Sequence, residues 1–137
     1  MTKRQKSWVY KPTKESKPKV PDAVKKEVQA KANEFVESTL KPKYIKPPPK
    51  DTDFSYIVDI FTKWYSNYFC FYSKYRCPAP ECISDFFEDK FTRLEYMGRD
   101  SFNLSYMRHT GQWWQVYTNL SLEECLETIK DNPTFAP

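Results

Sequence analysis

Apolar side chains recur at helical spacing in the first third of the chain. The spacing covers residues 22–40, begins after Pro21 and stops at Pro42, and prolines commonly mark the start and the end of a helix. The members of this apolar stripe are Val24, Val28, Ala32, Phe35, Val36 and Leu40. We therefore predict one amphipathic helix over residues 22–40, which packs on the rest of the fold through this stripe.

The middle of the chain has the composition and the alternation of β-strands. Residues 56–75 are dense in aromatic and β-branched side chains and are divided by Ser66-Asn67, which predicts a hairpin of two long strands. In residues 90–97 the side chains of Phe91, Arg93 and Glu95 alternate with those of Thr92, Leu94 and Tyr96, before a turn at Gly98-Arg99-Asp100. The strand after this turn places three apolar side chains on one face, namely Phe102, Leu104 and Tyr106.

A second turn leads into the last strand, QWWQVYT. We expect a two-residue loop at Thr110-Gly111 with Gly111 at positive φ, a conformation that costs glycine little. The strands follow one another with short turns, so the sheet is predicted to be an antiparallel meander of about five strands.

The C-terminal segment has the clearest local signal. Ser121 is followed three residues later by Glu124, and this capping box lets each side chain satisfy a backbone N–H of the first helical turn. The helix is expected to end at Asn132-Pro133, and its apolar stripe is Leu122, Cys125, Leu126 and Ile129. The fold class is therefore α+β, with an aromatic antiparallel sheet between an N-terminal and a C-terminal helix, the latter closing one face of the sheet.

Composition divides the chain into three parts. Residues 1–20 are rich in proline and lysine and read as a basic extended arm, and residues 21–50 hold the first helix and a proline-rich connector. Residues 51–137 form the sheet with the C-terminal helix, so we predict a single domain with an arm.

Charge follows the same division. Residues 1–50 hold fourteen Lys and Arg against five Asp and Glu, whereas residues 51–137 hold eight against thirteen. A basic arm on an acidic body fits contact with a polyanion such as nucleic acid or with an acidic protein surface, and it equally fits a solubilising tail.

The aromatic sheet points to the same class of partner. Single-stranded nucleic-acid binders stack bases on aromatic side chains of an antiparallel sheet, and a basic arm would supply phosphate contacts. The aromatic candidates are Trp64, Tyr65, Tyr68, Tyr72, Trp113, Trp114 and Tyr117, of which half are expected to face the helices as ordinary core. The candidate binding residues are Lys3, Arg4, Lys6, Trp8, Tyr10, Lys11, Arg108, His109 and Trp113.

A metal or thiol site is the alternative function. Cys77 and Cys82 stand five positions apart beside prolines, and His109 and Cys70 could complete a tetrahedral zinc site. Structural zinc sites usually show two close pairs of ligands, and only one such pair is present. The other interpretation is that Cys77 and Cys82 are free cysteines in a proline-rich loop.

Catalysis has little support in the sequence. His109 is the single histidine and stands beside a turn, and two glycines in the whole chain leave no glycine-rich phosphate loop. A solvated acidic loop explains the carboxylates of residues 81–90 as well as acid–base chemistry does; they are Glu81, Asp85, Glu88 and Asp89. We therefore expect a non-enzymatic binding module without a cofactor.

Hydropathy and cysteine content predict the cellular location. No stretch reaches the roughly 18 apolar residues of a membrane span, and residues 1–6 lead into no apolar signal core. With four cysteines and no export signal, we expect reduced thiols in the cytoplasm and no membrane contact.

Three segments carry a resemblance to known proteins. They are KFTRLEY, FNLSYMRHTGQW and LSLEECLETIKDNPTF. The chain resembles a group of small bacterial proteins of unknown function that share a helix, a strand meander with a W-x-x-Y motif, and a closing helix. The resemblance implies a bacterial source and this fold, and it carries over no activity, cofactor or catalytic residue.

Overall fold

The computed structural model describes residues 19–48, 50 and 53–137. The arm positions proposed for binding, namely Lys3, Arg4, Lys6, Trp8, Tyr10 and Lys11, lie outside the described residues. Val20, which was predicted to belong to the arm, is 4% exposed and belongs to the hydrophobic core. In the described part of the chain, no helix is long and apolar enough to cross a membrane.

The N-terminal helix is longer than predicted. It comprises α1 (Asp22–Phe35), a π-helical turn (Val36–Leu40) and α2 (Lys41–Tyr44), so the predicted end at Pro42 is wrong. The Lys41 N–H donates to the carbonyl of Val36, five residues earlier, rather than four. This wider turn shifts the carbonyls that a proline ring would otherwise meet in a regular α-helix, and the helix therefore continues through Pro42.

The sheet has the predicted topology. Its five strands lie side by side in chain order, and each neighbouring pair is antiparallel. The strands are β1 (Tyr56–Tyr65), β2 (Tyr68–Arg76), β3 (Phe86–Gly98), β4 (Ser101–Met107) and β5 (Trp113–Leu120). The antiparallel meander and the α+β class are thus confirmed.

Residues with positive φ make the tight turns. Ser66 (φ 54°) occupies the β1–β2 turn, and Arg99 and Asp100 (φ 53° and 56°) form the β3–β4 turn. Consecutive positive φ values match the right-handed twist of the flanking strands.

The β4–β5 loop differs from its prediction in length. Gly111 has a φ of 84°, as expected, but the loop contains three residues, of which His109 is the first. The Arg108 N–H donates to the Gln112 carbonyl at 2.9 Å, and the Gly111 N–H donates to the Arg108 carbonyl at 2.8 Å. These bonds define a turn followed by a left-handed glycine, which is the common three-residue hairpin.

β3 begins earlier than predicted. It starts at Phe86, so Glu88 and Asp89 lie on a strand, and their interpretation as a loop is wrong. Phe87 stacks on Tyr75 of β2 with ring centroids 4.9 Å apart. Cross-strand aromatic pairs stabilise antiparallel strands, so this contact holds the acidic segment in the sheet.

Both helices pack on the same face of the sheet. The C-terminal helix α3 (Leu122–Asp131) begins with the predicted capping box, in which Ser121 and Glu124 bond reciprocally. Lys31 of α1 lies 3.0 Å from Glu123 of α3, so the two helices touch. The least exposed apolar side chains between helices and sheet are Ala32, Leu40, Ile60, Phe69, Phe71, Leu94, Phe102, Leu104, Cys125, Ile129 and Phe135.

Candidate functional site

Strand alternation gives the sheet a second face that no described helix covers. On β2, Phe69 and Phe71 point into the core, so Tyr68, Cys70 and Tyr72 point away from the helices. We call this second side the open face. Following the register across the sheet, its charged and aromatic members are Asp59, Phe61, Lys63, Tyr65, Tyr68, Tyr72, Lys74, Arg76, Phe86, Glu88, Lys90, Arg93, Glu95 and Trp113.

Lysines lie over aromatic rings along β1, β2 and β3. The Lys63 Nζ is 5.3 Å from the centroid of the Phe61 ring and 5.4 Å from that of Tyr72, and the Lys90 Nζ is 5.8 Å from the Tyr72 ring. Phe61 and Tyr72 are themselves stacked, with centroids 5.0 Å apart. The rings attract the ammonium groups through their quadrupoles and hold these charges at the surface.

A second group of cations surrounds Phe86 at the end of the sheet. The Lys74 Nζ lies 4.9 Å from the Phe86 ring centroid, and the Arg76 guanidinium carbon lies 5.5 Å from it. Arg76 also pairs with Asp85 at 3.3 Å. Phe86 is 46% exposed, so its ring combines an accessible apolar surface with two neighbouring positive charges.

Arg93 occupies the centre of the open face. Its guanidinium carbon is 4.2 Å from the Tyr68 ring centroid and 4.6 Å from that of Trp113. Within residues 19–48, 50 and 53–137, the Arg93 Nε is buried and has no hydrogen-bond partner. Two rings therefore fix the plane of the guanidinium, and a fixed plane favours bidentate hydrogen bonding to carboxylate or phosphate.

The charge balance of the open face is positive. Its cations are Lys63, Lys74, Arg76, Lys90 and Arg93, and the carboxylates that share its register are Asp59, Glu88 and Glu95. Asp59 is engaged at the sheet edge by Lys41, 3.2 Å away. Burial raises the pKa of Cys70 on this face, while the charges of Lys90 and Arg93 act to lower it.

The aromatic candidates from the sequence divide between the two faces. Tyr68, Tyr72 and Trp113 lie on the open face. Trp64 turns to the helices, where its Nε1 donates to the Lys25 carbonyl at 3.2 Å. Trp114 and Tyr117 also lie on the helix side, whereas Tyr65 lies opposite Tyr68 on the open face and is 73% exposed at the end of β1.

Arg108 and His109 are not part of the open face. The Arg108 guanidinium lies over Trp114, with its carbon 4.9 Å from the ring centroid. Both residues border a cavity of about 510 Å³. The cavity lies beside the first part of β3, before the residues that pair with β4. The structure therefore separates them from Trp113, although all three were predicted to bind together.

The cations of the strands were not among the residues predicted to bind. Lys63, Lys74, Arg76, Lys90 and Arg93 alternate with core residues on β1, β2 and β3. Because alternate residues of a strand share a face, period two in the printed sequence is the signal that could have identified them.

Cys77 and Cys82 form a disulfide rather than the free cysteines that were expected, with Cα atoms 6.3 Å apart. It closes the loop between β2 and β3, where the Cys77 N–H donates to the Asp85 carbonyl at 2.7 Å. Among the described residues, no group of three His, Cys, Asp or Glu side chains is placed to hold a metal ion. The alternative set of Cys77, Cys82 and His109 is therefore not assembled.

Comparison with known proteins identifies a family without an assigned activity. No curated protein and no solved structure matches the chain. A family model described as a domain of unknown function, DUF3024, matches residues 20–137, which confirms the expectation of an uncharacterised family and spans both helices and all five strands. The chain therefore belongs to the DUF3024 family.

Proposed function

We propose that the protein is a non-enzymatic binding module whose open face binds single-stranded nucleic acid. The observation that carries this proposal is the row of cations held against aromatic rings across β1, β2 and β3, with Arg93 between two rings at its centre. Such a row offers phosphates a positive charge and offers bases an aromatic surface at neighbouring positions.

The energetics of this ligand class fit the arrangement. Stacking of a base on an aromatic side chain contributes about 1–3 kcal/mol, and it tolerates any base because every base has a π face. Lysine and arginine next to those rings add affinity through release of counterions from the phosphates. An antiparallel sheet with helices on one side and exposed rings on the other is a known platform for such stacking.

The N-terminal arm would extend this site. Lys3, Arg4, Lys6 and Lys11 would contribute phosphate contacts, with Trp8 and Tyr10 as further stacking groups. A function on nucleic acid agrees with the expected cytoplasmic location in a bacterial cell, where single-stranded RNA is abundant. An acidic protein surface is the competing partner for the same cations.

The experiment compares two triple variants of equal charge. Lys63→Gln/Lys74→Gln/Lys90→Gln removes cations from the open face, and Lys26→Gln/Lys46→Gln/Lys130→Gln removes exposed lysines of the helices and the connector. Fluorescence anisotropy with a labelled single-stranded oligonucleotide measures affinity as a function of salt. We expect only the open-face variant to bind more weakly, with a salt slope about 2 smaller because each phosphate contact contributes about 0.7.

The result also separates the two partners. Equal affinity of both variants would contradict the proposal. Polyglutamate has no bases that could stack on the aromatic rings of the open face. If it competes with the oligonucleotide at the same concentration of charge, the site would be assigned to acidic polypeptides.

A further inference from the structure

The two edge strands of the sheet differ in protection. β1 carries Asp59, which forms an ion pair with Lys41 of the N-terminal helix. This ion pair and the helix protect the β1 edge from pairing with another strand. β5 carries no charged residue, and the uncharged stretch runs from residue 110 to residue 122. Trp114, Val116 and Tyr117 of β5 are 53%, 41% and 40% exposed. An edge strand that carries no charge and exposes large apolar side chains can pair with a strand of another molecule.

We propose that β5 is the interface between two copies of this chain, which pair antiparallel about a twofold axis. An isologous contact of this kind uses the same patch on both copies, so the patch must be complementary to itself. An uncharged strand meets this requirement because its self-pairing opposes no like charges.

The charges at the two ends of β5 are complementary. Near the start of the strand, the Arg108 guanidinium lies over Trp114. Near its end, Tyr117 borders a groove of about 440 Å³ together with Glu127 and Asp131 of α3. Antiparallel pairing brings the start of one strand beside the end of the other. It therefore places Arg108 of each copy against the carboxylates of the partner copy, and arginine–carboxylate pairs are strong and directional.

The register of β5 limits the number of backbone hydrogen bonds that two copies can form with each other. Opposite β4, the strand has one extra residue at Val116 and another before Leu120, where Asn119 has a φ of 58°. Bulges of this kind shorten a ladder and twist an edge. The pairing thus depends less on a backbone ladder than on the charged side chains near the two ends of β5, and we expect a dimer that dissociates on dilution.

This inference goes beyond the proposed function and does not rest on it. Two sheets of five strands joined at β5 would place two open faces side by side, so one nucleic-acid strand could contact both. The association itself is measured without nucleic acid, and failure of either proposal is therefore visible separately.

Sedimentation equilibrium of the full chain tests the proposal, over concentrations from about 5 to 500 µM because the dimer depends on protomer concentration. Arg108→Glu and Asp131→Arg each place like charges together across the axis. We expect each single variant to raise the dissociation constant at least about tenfold, and the double variant Arg108→Glu/Asp131→Arg to return within about threefold of the wild type. Tyr65→Ser, an exposed aromatic at the opposite edge, is the matched control and should leave association unchanged.

Three results would overturn the inference. They are a wild-type chain that stays monomeric over the whole range, single variants that associate as the wild type does, and a double variant as weak as either single one. A folding defect does not imitate the expected pattern, since the double variant would then be the least associated of all. Thermal melts of each variant confirm this point.

Discussion

Phe71 and Tyr72 are neighbours on β2 and have opposite surroundings. Phe71 is fully buried and packs against Phe69 and Phe91, with ring centroids 5.5 and 6.1 Å apart. Tyr72 is half-buried on the open face, with Lys63 and Lys90 over its ring. Aromatic content therefore does not distinguish core from interface in this sheet, whereas the position of a residue in the strand alternation does.

The two faces also differ in charge. No Lys, Arg, Asp or Glu among the described residues is buried, and the polar residues that are buried are Asn67, Ser73, Thr92, Asn103 and Ser105. Among the described residues, cations are absent from the core between the helices and the sheet because a buried charge without a partner loses its hydration. They collect on the open face, where the rings hold them and water still reaches them.

The largest expected effect comes from the pair Phe71→Ala and Tyr72→Ala. Phe71→Ala leaves a cavity in the core and should lower the free energy of unfolding by about 3–5 kcal/mol. Tyr72→Ala removes a half-buried ring, so it should cost clearly less stability and weaken oligonucleotide binding instead. Urea unfolding and anisotropy on both variants measure the two effects. Equal losses of stability would show that the faces do not differ as described.

Alkaline pH tests the burial of the core thiol. Burial raises the pKa of Cys125 to about 12, with Glu124 and Glu123 adding to the rise. The folded state thus keeps the thiol protonated, whereas the unfolded chain ionises near pH ~8.5. Stability from this thiol is complete below that pH and is lost as the pH rises toward 12, by about 1.4 kcal/mol per pH unit. Unfolding curves of wild type and Cys125→Ala should diverge in slope above pH 9, and parallel slopes would refute the assignment.

Gly111→Val addresses the loop between β4 and β5. A Cβ at this position meets no atom within 4 Å, so the cost comes from the backbone φ of +84° alone. A left-handed conformation costs a residue with a Cβ about 1–2 kcal/mol, and the free energy of unfolding should fall by that amount. Thr110→Val in the same loop is the control, since Thr110 does not have a positive φ. Loss of stability in the control alone would contradict this reasoning.

The smallest effect is expected at the helix cap. The Glu124 N–H donates to the Ser121 Oγ at 3.1 Å, and Ser121→Ala leaves this donor without the cap. Its loss should lower the free energy of unfolding by about 1 kcal/mol. Thr128→Ala, later in α3, removes a hydroxyl that only bonds back to the Glu124 carbonyl, and it should be neutral. If Thr128→Ala were destabilised and Ser121→Ala were not, the hydrogen bond at the Ser121 cap would not be the one that stabilises α3.

Local signals in the sequence were sufficient for much of the fold. The capping box at Ser121, the turn at Ser66-Asn67 and the positive φ of Gly111 each depend on a few adjacent residues, and all three are confirmed. The meander followed from short turns between successive strands. These features need no knowledge of distant contacts.

Features that depend on distant contacts were missed. Glu88 and Asp89 look like an acidic loop until the stack of Phe87 on Tyr75 is known, and that contact joins residues twelve positions apart. The helix continues through Pro42 because of a π-helical turn, and no local sequence motif indicates this turn. The open face required the register of all the strands, so five of its cations were not recognised as one site.

The most direct measurement of the central claim is ultraviolet cross-linking of the wild-type chain to a single-stranded oligonucleotide, with the modified residues identified by mass spectrometry. Trp113 and Trp114 are adjacent and lie on opposite faces, so the pair acts as its own control. We predict cross-links at Tyr72, Phe86 and Trp113 that disappear at high salt. Cross-links at Trp114 and Tyr117 in their place, or none at low salt, would contradict binding at the open face.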